Sequence, residues 1–207
     1  MYRFAVFLAG LWLALVPVRA TPVTILALGD SLTAGLGLPQ DQAFPARLEA
    51  ALKAKGHDVT VINGGVSGDT AADGLARLDW ALDDSVKAVI VELGANDALR
   101  GLPPAQAEAA LDQIVTKLDE RHLPVLIAGM RAPPNLGPDY AAGFDPMFRR
   151  LADKHGALLY PFYLDGVAAV PDLNQVDGLH PSAKGVDIIV GRILPSVETL
   201  LAKLPAK

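Results

Sequence analysis

The chain has 207 residues, is 51% apolar and carries a formal charge of -5. That length suits one domain with a sizeable core, and the balance of apolar to charged residues excludes a disordered tail or a coiled coil. The absence of any Lys/Arg cluster argues against a nucleic-acid partner, and the absence of cysteine excludes disulfides, thiolate metal sites and cysteine nucleophiles.

The N-terminus reads as a targeting segment. Arg3 precedes Phe4 to Val18, a run without a charge, and Val18-Arg19-Ala20 offers small side chains at the positions a signal peptidase reads. Residues 1–20 are therefore expected to be a signal peptide, cut after Ala20, with residues 21–207 as the exported domain in an oxidising compartment, periplasmic or secreted. The run of 15 residues is short for a span that needs about 20, so no stable membrane anchor is expected after cleavage. Loss of Arg3 and Arg19 leaves 16 basic against 23 acidic residues, a charge of -7.

Beyond the leader, strands and helices alternate. Val23 to Leu28 is a short apolar run ending at Gly29, as a strand buried on both faces reads. Phe44 to Lys55 has helical periodicity, and Asp58 to Asn63 is the second strand. Thr70 to Leu82 is a helix, with Thr70 and Asp73 spaced as a capping box. Ala88 to Leu93 is the third strand, Ala105 to Arg121 a long helix and Pro124 to Met130 the fourth strand. Asp139 to His155 reads as mostly helix, Ala157 to Phe162 as the fifth strand and Ser182 to Lys203 as the closing helix. This alternation predicts an α/β fold with a five-stranded parallel sheet covered on both faces. Ligands of such sheets bind at the carboxyl ends of the strands.

Polar and glycine signatures gather at those ends: Gly29-Asp30-Ser31-Leu32 after the first strand, Ser67-Gly68-Asp69-Thr70 after the second, Gly94-Ala95-Asn96-Asp97 after the third, and Asp177-Gly178-Leu179-His180-Pro181 near the C-terminus. Singly, each has a plain reading: an N-cap serine, a turn glycine, a turn asparagine, a structural histidine. Together they supply what nucleophilic acyl transfer needs: a nucleophile, a base, an orienting acid and oxyanion donors. His57, His122 and His155 lie in turns or near helix ends and receive no chemistry, and no metal site is expected.

In order, spacing and strand context these segments resemble the four sequence blocks of the GDSL, or SGNH, hydrolases. Val91-Glu92-Leu93-Gly94 leading into Asn96-Asp97 and Leu99-Arg100-Gly101 is similar to the small exported bacterial thioesterase/lysophospholipase/arylesterase subgroup. The resemblance implies a three-layer α/β/α, flavodoxin-like fold with strand order 2-1-3-4-5. It implies Ser31 as nucleophile, His180 as general base and then acid, and Asp177 as orienter of His180. It implies three oxyanion donors: the Ser31 N–H, the Gly68 N–H and the Asn96 side-chain amide. Asp30 is expected to support the turn. No metal or organic cofactor is required, and the partner is a small-molecule ester or acyl substrate.

Ala132-Pro133-Pro134 and Leu179 line an acyl groove or are ordinary loop and core residues; both readings stand. Asp97 to Pro104 shows no strong local structure. It is either a surface connector or, as the family resemblance implies, a switch that brings Leu99 or Leu102 against a longer acyl chain. Carbohydrate O-acetyl ester hydrolysis is a second enzymatic reading, although aromatic residues make up only 6% and suggest no sugar platform. A non-catalytic binding protein on the same fold is a third, against which Ser31, Asp177 and His180 all count. A small acidic single domain is expected to be a monomer.

Overall fold

A computed structural model describes residues 22–205; the proposed signal peptide lies outside them. The elements in chain order are β1 (Val23–Gly29), α1 (Ser31–Ala34), α2 (Phe44–Ala54), β2 (Val59–Gly65), α3 (Ala71–Ala81), β3 (Val86–Glu92), α4 (Ala95–Leu99), α5 (Pro104–Glu120), β4 (Val125–Ala128), α6 (Gly137–Phe144), α7 (Met147–His155), β5 (Leu158–Tyr160) and α8 (Ala183–Ala202). The five strands form one parallel sheet in the order β2-β1-β3-β4-β5. The α/β class and the strand order are therefore those expected.

Burial explains the strand patterns. Central β1 is closed to solvent from Ile25 to Gly29, and β3 is buried at every position but Lys87, so both read as near-continuous apolar runs. Edge strand β2 alternates at its start, with Val59 and Val61 inside and Thr60 outside. Helices cover both faces: α2 packs on α8, and α3 and α7 pack on α5. Capping fixes α3, whose Thr70 hydroxyl accepts the Asp73 N–H while the Asp73 carboxylate accepts the Thr70 N–H.

Two segments are more finely structured than their sequences suggest. The mostly helical stretch 139–155 is divided into α6 and α7 at Pro146, which has no N–H to continue the ladder. Its neighbour Asp145 instead accepts the Ala132 N–H at 2.8 Å, tying the helix joint to the loop after β4. The segment 97–104 is also better ordered than its composition suggests. It opens with α4, closes with bonds from Arg100 N–H to Asn96 O and Leu102 N–H to Asp97 O, and is pinned where the buried Asp97 carboxylate accepts the Ala71 N–H at 2.9 Å.

One polar cluster interrupts the apolar core, directly beneath the end of β1. Glu92 is 1% exposed and accepts the Thr33 hydroxyl on Oε2 at 2.7 Å. Among the described residues, its Oε1 and the hydroxyl of buried Tyr163 have no hydrogen-bond partner. Gly29 passes so close that a Cβ there would stand 2.1 Å from Thr33 Oγ1 and 2.6 Å from Glu92 Oε2, so only glycine fits. Fully buried Asp30 adjoins this group. Burial pushes its carboxyl up to about 6, and burial together with the nearby Asp30 charge pushes Glu92 well above the usual carboxylate range.

Raised carboxyls make the folded state bind protons that the unfolded chain has released. Their stabilisation is complete below about pH 4 and is lost as pH rises through their folded values. Thermal midpoints of wild type should accordingly fall between pH 5 and pH 8 more steeply than those of Glu92→Gln, which has the same shape and cannot ionise. Parallel pH profiles would mean that Glu92 titrates alike in both states.

Candidate active site

The carboxyl edge of the sheet brings together side chains from four loops. Ser31 opens α1 immediately after β1 and is 8% exposed. Asp30 caps that helix, its Oδ1 accepting the Leu32 N–H at 2.9 Å, so its sequence-assigned role in the turn agrees with its contacts. Across the cleft, the segment carrying Asp177 and His180 is stitched by Gln175 N–H to His180 O at 2.7 Å and Ser182 N–H to Leu173 O at 2.8 Å. Asp177 Oδ1 accepts the backbone N–H groups of Leu179 and His180, and its Oδ2 lies 2.6 Å from His180 Nδ1. His180 Nε2 in turn lies 3.0 Å from Ser31 Oγ.

The backbone N–H of His180, then its ring N–H, lower the Asp177 carboxyl to about 2. As a carboxylate it can only accept, which assigns the ring proton to Nδ1 and leaves the Nε2 lone pair facing the Ser31 hydroxyl.

Donors surround the serine. Gly68 has φ 91°, a left-handed conformation that a side chain would resist. Among the described residues, neither the Ser31 nor the Gly68 backbone N–H donates to a protein acceptor. The Asn96 amide is different, because its Nδ2 donates to Asp30 Oδ2 and to Asp69 O, each at 3.0 Å. Both amide hydrogens thus have acceptors, and an anion beside Ser31 would share one of them. Behind these loops Arg77 donates from Nε to Asp69 Oδ2 at 2.5 Å and from Nη2 to Gly29 O at 2.8 Å, while Arg100 donates to Gly68 O at 2.6 Å.

A cleft of about 410 Å³ opens beside Ser31 and His180. Leu99, Pro133, Phe162 and Leu179 make its walls predominantly apolar, and Arg131 stands over the Phe162 ring at 4.9 Å. Leu99, Pro133 and Leu179, named from sequence, are in this cleft. Leu102 is not among its walls; its carbonyl accepts the Tyr140 hydroxyl at 2.8 Å at the start of α5. A larger hollow of about 850 Å³ lies at the opposite, amino edge of the sheet, between Asp83, Lys87, Arg121 and His122. Ser31, His180 and Asp177 lie at the other edge, which makes the smaller, apolar cleft the candidate substrate site.

Sequence reasoning passed over Glu92, Arg77 and Arg131. Glu92 carried a signal, being the one charge inside a run that otherwise reads as a buried strand. Arg77 carried none, since its partners lie 8 and 48 positions away.

A model of the GDSL-like lipase/acylhydrolase family matches residues 27–188. Esterase TesA of Pseudomonas aeruginosa is 38% identical over 199 residues, covering 95% of this chain and 99% of that protein. The Escherichia coli protein named thioesterase 1/protease 1/lysophospholipase L1 is 35% identical over 193 residues, 92% of this chain and 91% of its own length. Among solved structures, the SGNH-hydrolase family esterase AlinE4 superposes with a TM-score of 0.75 at 46% identity, covering 91% of this chain and 100% of its own. The matched span runs from β1 through the His180 loop, and on that ground the chain belongs to the GDSL-like lipase/acylhydrolase family.

Proposed function

We propose that the chain is an exported serine hydrolase that cleaves carboxylic esters, and acyl thioesters or lysophospholipids of the kinds its relatives' names denote, through an acyl-enzyme. The observation that carries this reading is the continuous line Asp177 Oδ2–His180–Ser31 Oγ, with contacts of 2.6 and 3.0 Å. His180 Nε2 takes the hydroxyl proton as Ser31 Oγ attacks the acyl carbon. Asp177 stabilises the imidazolium that results. The carbonyl oxygen becomes an oxyanion received by the Ser31 and Gly68 N–H groups and by the Asn96 amide, which shares a hydrogen now held by Asp69 O or Asp30.

His180 then passes its proton to the leaving alcohol or thiol, and the acyl group remains on Ser31. A water repeats the cycle, giving its proton to His180 and releasing the acid and free serine. The apolar cleft suits a small to medium acyl chain over a sugar, which favours this reading over carbohydrate deacetylation. Among the described residues no helix is long and apolar enough to cross a membrane. The leader sequence, an apolar run after Arg3 that ends in Val18-Arg19-Ala20, supports export with cleavage after Ala20.

Ser31→Ala should fold normally, lose labelling by a fluorophosphonate probe and lose at least about 10³-fold in kcat on p-nitrophenyl esters, since triad members act as a unit. Retention of more than about a tenth of the activity would remove Ser31 from the nucleophile's role.

For the oxyanion donors, Asn96→Ala is expected to lower kcat by about 10²-fold with little change in KM. A lost thermal midpoint with near-normal kcat would instead mark Asn96 as a turn residue.

The acyl chain is traced with Leu99→Trp, which fills part of the cleft. Turnover of octanoyl esters should drop more than that of acetyl esters; equal effects would place the chain elsewhere.

A further inference from the structure

We propose that Arg77, a residue of α3 outside the acyl-transfer machinery, is a positioning residue that fixes the oxyanion donors relative to Ser31. This rests on the serine-hydrolase reading and extends it. The donors come from loops after three different strands, and backbone pairing in the sheet ends before any of them. Something must hold the loops in register where the sheet no longer does.

Asn96 bonds to Asp30 and Arg100 to Gly68 O, and Arg77 is the side chain that joins the Ser31 turn to the Gly68 loop. Its Nη2 donates to the carbonyl of Gly29, two residues before Ser31, at 2.8 Å. Its Nε donates to Asp69, the residue after Gly68, at 2.5 Å. The carbonyl of Asp69 then takes a hydrogen of the Asn96 amide at 3.0 Å. One guanidinium therefore links the Ser31 turn to the Gly68 loop directly and to Asn96 through Asp69. The pairing is shielded, with side chains 17% and 12% exposed for Arg77 and Asp69, so it is screened less than a surface ion pair.

The rigid two-armed fork is what makes arginine suited to this task, as an ammonium could satisfy one of the two acceptors but not span both in fixed geometry. Arg77 also balances the charge of Asp69, which would otherwise stand as an uncompensated anion beside the place where the oxyanion forms.

The test compares Arg77→Lys, Arg77→Met, Asp69→Asn and the Arg77→Met/Asp69→Asn double variant on p-nitrophenyl butyrate. Arg77→Lys keeps the charge and the aliphatic stem, so it carries the test if the methionine variant fails to fold. Each single variant should lose about tenfold or more in kcat with KM within about twofold, the pattern of a defect felt in the transition state. In the double variant the losses should not multiply, because both act on one link. Leu52→Ala, on the buried face of α2 and outside the cleft walls, supplies a destabilised control that should keep its kcat at a temperature well below its midpoint.

Wild-type kcat in a folded Arg77→Lys, a loss confined to KM, multiplying losses in the double variant, or an equal kcat loss in Leu52→Ala would each overturn the proposal. If the wild type neither hydrolyses esters nor labels at Ser31, the hydrolase reading falls and this role with it. An active wild type with unaffected Arg77 variants overturns this role alone.

Discussion

The site is organised around the carboxyl of Asp30. Its Oδ1 holds the Leu32 N–H and so fixes the turn that begins α1, and its Oδ2 holds the Asn96 amide from the loop after β3. A single buried group therefore couples the serine turn to a side chain 66 positions away. Such coupling opposes the hydrophobic logic of the surrounding core, since a carboxyl is costly to bury unless its oxygens are hydrogen-bonded. Asp30 meets that cost with two donors, but it also raises the cost of Glu92 beneath it. The core below the serine is thus less stable than an apolar one would be, in return for a defined polar geometry above.

The apolar part of the protein supplies the rigidity that such a cluster needs. β1 and β3 are buried on both faces; Ser31 stands two residues beyond the end of β1 and Asn96 four beyond the end of β3. Side chains so soon after a packed strand have little freedom to wander. The cleft walls are held in a different way. Arg131 to Pro134 form a loop tied down where Asp145 accepts the Ala132 N–H at the α6–α7 joint. Ser31 and Asn96 are anchored to the sheet, and this part of the cleft wall is anchored to the helices.

How much of this the sequence discloses depends on the range of each interaction. The strands were legible because two-sided burial leaves a continuous apolar run, and the Thr70–Asp73 cap because it spans three residues. Asp177 and His180 were legible for the same reason, as i,i+3 partners in one turn. The α6–α7 break falls at Pro146, which the sequence shows, but the turn that separates the two helices depends on how they pack. Leu102 shares a loop with Leu99, yet its carbonyl accepts the Tyr140 hydroxyl and it lies outside the cleft walls. Arg77, Glu92 and the doubly engaged amide of Asn96 depend on contacts between distant segments, and no local pattern announces them.

The placement of Asp177 and His180 within one stitched loop has a consequence for how the arrangement is kept through sequence change. Their mutual geometry is settled by short-range closure of the chain, so it survives any repacking that leaves the loop's own bonds intact. Of the contacts joining the three groups, only the one from His180 to Ser31 spans the molecule, across 149 positions. Drift in helix angles or core volume therefore reaches this line of three groups through a single gap. Small torsional adjustments of Ser31 about its Cα–Cβ bond, within one staggered well, can absorb small changes in that gap. For these three groups the layout confines the tolerance problem to one adjustable joint, whereas the amide of Asn96 depends on its own long-range links.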